Sequence, residues 1–173
     1  MAAPSRCDSS VNPWVFAQRA LVRCPTCDRM AVVVRSEKLP RNPSLVRATC
    51  THCGYNRERS TKGDGSLRDR PRPVPGMVCE QVHGLALWLQ TPCVGETLWA
   101  FNEEHLAFLR DFVAADLRER ALRPGWDGEP RIDTYYGNLP AALPTWIKLA
   151  KHRDELLAAI DRLAATIPPV PDM

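Results

Sequence analysis

The sequence predicts a small α+β protein of two units joined by a proline-rich segment. Three observations predict it. Two Cys-x2-Cys pairs, Cys24/Cys27 and Cys50/Cys53, lie among short β-branched runs. A stretch dense in Gly, Pro and charge, "GDGSLRDRPRPVPG" at 63–76, divides the chain. Beyond it, two apolar runs flank a Pro/Gly loop and two stripes of helical period follow.

The elements follow in order. Residues 1–18 are polar and without periodicity and read as a flexible arm, with Trp14, Val15 and Phe16 able to dock on a neighbour. Residues 19–62 form the cysteine unit. "MAVVVRS", 30–36, is β-branched and predicts a strand; "SLVRAT", 44–49, predicts its partner, and "GYNRERST", 54–61, a weaker third. "EKLPRNPS" between the first two holds two prolines and predicts a loop. Residues 63–76 predict a semi-rigid linker. Residues 77–167 then predict a β-hairpin and two helices. Leu85–Leu89 and Thr97–Phe101 flank "QTPCVGE", which reads as the hairpin loop. Asn102 is placed to cap a helix, with Glu103 and Glu104 in its first turn, where negative charge suits the dipole. Leu106, Leu109, Val113 and Leu117 share one helical face, widened by Phe108 and Phe112. That helix is expected to end near Leu122, before Pro124 and Gly125. Residues 123–144 read as an irregular excursion. A last helix is expected from a Thr145 cap to about Thr166, with Leu149, Leu156, Ile160 and Leu163 as its apolar face.

Two thiolates three residues apart bind one ion when a tight turn separates them. Pro25 helps to set such a turn, and Gly54 lets backbone amides fold back toward sulfur. Two such knuckles complete a tetrahedral site, so Cys24, Cys27, Cys50 and Cys53 are the expected ligands of one Zn2+ ion. Four thiolates leave no open position for substrate, which makes the ion structural. An iron site with the same ligands and a redox role for "CPTC" are the competing readings; the latter needs a helix after the motif, where "DRMAVVV" reads as a strand. Cys79, His83, Cys93 and His105 lack the paired spacing of a second site and read as separate residues, the cysteines as small buried ones.

The chain of 173 residues carries a net charge of +3, unevenly spread. From Arg19 to Arg72 there are 13 basic and 5 acidic residues, a net of +8, and the rest carries −5. A basic module suits a polyanion, and Arg35, Arg41, Arg47, Arg57 and Arg59 are the candidate phosphate contacts. The strand aromatics Trp88, Trp99 and Phe101 are assigned to the core rather than to base stacking. No GxSxG, GxxxxGK[ST] or HExxH motif is present, so no catalytic residue is assigned and the expectation is a non-enzymatic protein. No window supplies the roughly 20 apolar residues of a membrane span. "MAAPSRCDSSVNPW" has no apolar signal core, and seven cysteines, an odd number, argue against a disulfide framework; the expected location is cytoplasmic.

The cysteine unit resembles the transcription factor IIB-type zinc ribbons. "LWLQTPCVGETLWAFNEEHLAFLRDFVAADLRER" and "LPTWIKLAKHRDELLAAIDRL" resemble a bacterial family described as zinc ribbon-containing proteins, some of whose members carry labels of the replication-restart helicase. The resemblance covers roughly residues 20–122 and 143–163. Members commonly show two consecutive cysteines in the hairpin loop, where this chain has Cys93 and Val94, and residues 123–138 look like an insertion of this chain. The resemblance implies a ribbon followed by a hairpin and helices.

Two functions fit these residues. One is a nucleic-acid-binding module, for DNA or RNA, that holds phosphates through the basic ribbon. The other is an adaptor that docks on a protein partner in a larger replication, transcription or defence assembly.

Overall fold

β1 (Arg19–Arg23), β2 (Met30–Arg35), β3 (Leu45–Thr49) and β4 (Asn56–Ser60) form one antiparallel sheet in the order β1-β2-β3-β4. The structure, a computed structural model, describes residues 13–36, 45–60, 72–114 and 143–168. β2, β3 and β4 fall where the β-branched and polar alternation places them. β1, "RALVR", is an addition: its apolar run is only three residues long and gains its strand state from pairing with β2, Leu21 opposite Val32. The loose-arm reading of 1–18 is corrected for 13–18, which form a 3-10 helix with Phe16 only 1% exposed. Residues 1–12 lie outside the described residues, as do 37–44, most of the predicted linker and 115–142.

β5 (Leu89–Cys93) and β6 (Glu96–Ala100) form a two-stranded hairpin. The predicted seven-residue loop shrinks to two residues, Val94 and Gly95, because Gln90, Thr91, Pro92 and Cys93 pair with Trp99, Leu98, Thr97 and Glu96. Both turn residues have positive φ, 53° and 75°, which is the backbone of a type I′ turn.

α1 (Glu103–Ala114) begins where Asn102 caps it: the Asn102 Oδ1 accepts the His105 amide at 2.9 Å. The same side chain donates to the carbonyls of Phe16 and Arg19 at 2.9 and 2.8 Å, so one residue fastens α1 to the start of β1. The single last helix is also corrected. α2 (Thr145–Lys148) is one turn, Leu149 is extended with ψ 124°, a 3-10 turn follows at Ala150–His152, and α3 (Arg153–Ala164) carries the stripe. His152 Nδ1 lies 2.9 Å from the Trp146 carbonyl that the break releases from helical bonding. Leu149, expected in the apolar face, is 39% exposed, whereas Leu156, Ile160 and Leu163 are buried. Thr145 is the first helical residue, and Pro144 precedes it in the cap position.

The sheet is covered along one face and, on the other, only at its β1–β2 end. Ala20, Val22, Ala31, Val33, Val46 and Ala48 point into one core with Phe16, Leu87 and Phe101. Leu21 points into the other, with Leu89, Leu98, Leu109, Leu156 and Ile160, while Met30 and Val32 pack against its margin. The free edge of β1 is taken as well: the Arg23 amide donates to Ala86, the Trp88 amide to Leu21, and the Leu21 amide to Phe101. Among the described residues no helix is long and apolar enough to cross a membrane.

Candidate metal centre

Cys24 and Cys27 stand at the turn between β1 and β2, Cys50 and Cys53 at the turn between β3 and β4. Each turn has the same backbone. The Cys24 amide donates to the Arg29 carbonyl and the Asp28 amide to the Cys24 carbonyl; the Cys50 amide donates to Tyr55 and the Gly54 amide to Cys50. Asp28 and Gly54 both take positive φ, 57° and 75°. Glycine has no Cβ penalty there, and aspartate is among the few residues that tolerate it.

The antiparallel register brings the two turns to one end of the sheet. The four Sγ atoms lie within 4.8 Å of one another. Across the turns, Cys24 Sγ is 3.5 Å from Cys53 Sγ and Cys27 Sγ is 3.7 Å from Cys50 Sγ. A disulfide needs about 2.05 Å. Four sulfurs each about 2.3 Å from a central ion stand about 3.8 Å apart by tetrahedral geometry. The four cysteines are therefore positioned to hold one metal ion, as the spacing predicts, and the fit is to a closed thiolate site. Cys24 and Cys50 are buried, Cys27 is half-buried and Cys53 is exposed, so the centre sits under the surface of the sheet end.

The thiols are unequal. Burial opposes the Cys24 thiolate, but amide hydrogen bonds from Thr26 and Cys27 and the neighbouring thiols outweigh it and bring Cys24 down to about 7. At Cys27 the Arg29 amide favours the thiolate, yet burial and three adjacent sulfurs push it up to about 12. Cys53 is raised too, although the Tyr55 amide works against the shift. Four sulfurs this close resist ionising together, and a cation removes that conflict. Arg29 Nη1 meets His52 Nδ1 at 3.1 Å, a polar bridge between the tips of the two turns.

The candidate phosphate contacts do not share one surface. Arg35 is the clearest departure: its side chain is 4% exposed and paired at 3.1 Å with Glu80, itself 1% exposed. Burial disfavours its charge and Glu80 offsets part of that cost. It is therefore not offered to a polyanion, because β2 turns it inward beside Val33 and Val46. Arg47 is exposed on the opposite face and pairs with Glu58, directly across on β4. Arg57 is exposed and Arg59 half-buried on β4, opposite Ala48 and Val46. Arg41 lies outside the described residues. Cys79, His83, Cys93 and His105 do not converge either: His83 Nε2 meets the Val46 carbonyl, Cys93 Sγ meets Glu155 O, and His105 stacks on Phe16. Glu80 is the residue that sequence reasoning missed.

No family model, curated protein or solved structure matches this chain.

Proposed function

We propose that the chain is a zinc-binding, non-enzymatic module that holds nucleic acid through phosphate contacts from its basic ribbon. The observation that carries this reading is the charge excess of residues 19–72. Asp28 and Glu58, which pair with Arg23 and Arg47, already belong to its +8; among the described residues Glu80 and Glu103 pair with Arg35 and Arg19 from outside it, and adding these two carboxylates gives +6. The contacts are then Arg57 and Arg59 on one face of the β4 edge and Arg47 on the other, with Arg41, and not Arg35, so that phosphates follow the edge of the sheet rather than one face. Zinc is the ion because four thiolates and no open position suit a structural d10 cation. The likeness to the bacterial ribbon-containing family belongs to the same reading.

The test is an anisotropy titration of labelled single- and double-stranded DNA and RNA with zinc-loaded protein across a salt series. Micromolar binding that weakens steeply with salt is expected. Replacing Arg47, Arg57 and Arg59 together by alanine should weaken it at least tenfold and flatten the salt slope; unchanged binding rejects the reading. A second reading, an adaptor docking on a larger assembly, is favoured by Val34, 47% exposed between Arg19 and Arg47 in the cross-strand register. No nucleic-acid binding at low salt would leave that reading standing.

A further inference from the structure

Glu80–Leu85, "EQVHGL", repeats the metal knuckle bond for bond. In the first knuckle Cys24 N–H donates to Arg29 O at 2.8 Å and Asp28 N–H to Cys24 O at 3.0 Å; in the second the pairs are Cys50 with Tyr55 at 2.8 Å and Gly54 with Cys50 at 3.0 Å. Here Glu80 N–H donates to Leu85 O at 2.8 Å and Gly84 N–H to Glu80 O at 2.9 Å. The left-handed residue falls at the same place, Gly84 with φ 67°. The flanking cross-strand pair is also the same: Arg23 opposite Met30, Thr49 opposite Asn56, Cys79 opposite Ala86. Glu80 and His83 thus occupy the two ligand positions.

The first ligand position is dressed alike. Cys24 Sγ accepts the Thr26 amide two residues on, at 3.4 Å. Glu80 accepts the Val82 amide at 3.0 Å and the His83 amide at 2.7 Å. At Cys24 such an amide bond supports a negative sulfur where a cation would sit. At Glu80 the amide bonds support a negative carboxylate, and the cation beside it is the Arg35 guanidinium, 3.1 Å away and buried with it. The guanidinium comes from β2, across the inner face of the sheet.

We propose that Cys79–Ala86 is a third copy of the metal knuckle in which the guanidinium of Arg35 stands as the resident cation. The chain then takes one metal ion rather than two. The knuckle fastens the segment after the linker to the inner face of the ribbon by a bond that chelators do not reach. Arg35, which its sequence neighbourhood offers to phosphate, is a positioning residue of this knuckle.

Hydrogen exchange of backbone amides in the full chain, read by NMR, separates this from an ordinary buried ion pair. In zinc-loaded Arg35→Met protein, the Glu80, Val82, His83 and Gly84 amides should exchange at least tenfold faster, with the Thr26, Asp28 and Gly54 amides unchanged. Chelator-stripped wild type should show the reverse. Arg35→Lys, which keeps the charge and loses the fork, should fall between wild type and Arg35→Met. Uniform loss across all three knuckles in zinc-loaded Arg35→Met protein, or protection at Glu80–Gly84 unchanged in it, overturns the proposal. Should Arg35→Met not fold, the Arg35→Lys protein carries the same comparison. A native-mass count of two zinc ions per wild-type chain also overturns it. None of these readouts involves nucleic acid, so they stand apart from the binding titration.

Discussion

His105 lies flat on Phe16, with ring centroids 4.7 Å apart and planes 4° from parallel, and its Nδ1 accepts the Phe101 amide at 3.3 Å. That acceptor exists only in the neutral ring. Burial brings its pKa down to about 4. The unfolded chain takes up this proton below about pH 6.5, the folded chain only near 4. Between those values the unfolded state binds more protons, so stability falls as pH drops, by up to about 3 kcal/mol from this residue. His105→Phe should remove that part of the acid loss; urea unfolding at pH 7 and 4.5 checks it, and an equal loss in both proteins would count against it. At this scale the four clustered cysteines were legible, because a Cys-x2-Cys turn is local and its hydrogen bonds run within six residues. Arg35 was not, because its partner Glu80 lies 45 residues away. Glu-x2-His-Gly does carry the spacing of Cys-x2-Cys-Gly, but the signal is chemical at cysteine and only conformational at glutamate.

The hairpin shows how an element settles its own boundary. "QTPCVGE" has the composition of a loop, yet the strands run to Cys93 and Glu96 and leave Val94 and Gly95 as the turn. Pro92 is tolerated because a two-stranded hairpin leaves each strand one outer edge. Val94 is the strained member, a β-branched residue at φ 53°. Asn fits the first position of this turn far better, so Val94→Asn should raise stability by about 0.5–1 kcal/mol despite losing some apolar contact. Thermal unfolding measures it, and a lower melting temperature would show that the Val94 packing outweighs the strain. The apolar face of α3 was readable from its period. The break at Leu149 was not, since no Gly or Pro marks it; the chain bends there to bury Ile147 in the same core as Leu156.

The two units predicted from composition meet through β1. Its alternate side chains enter different cores, Ala20 and Val22 in one and Leu21 in the other, and both its edges are hydrogen-bonded. Leu21 is fully buried against the helical unit although it belongs to the four-stranded sheet. Leu21→Ala should therefore cost about 2–5 kcal/mol. Urea unfolding of the metal-loaded protein measures this; a cost under about 1 kcal/mol would mean that the cores do not depend on the strand between them. By itself the sequence determined the α+β class, the four cysteines that cluster, the Asn102 cap and the apolar stripe of α3, because each is written in spacings of a few residues that local backbone geometry reads directly. Tertiary structure alone decided that Phe16 and β1 are core, that Arg35 is a buried partner of Glu80, and that the basic residues fall on different faces. Those outcomes depend on which distant segment covers which face of the sheet, and burial then sets the worth of every charge there.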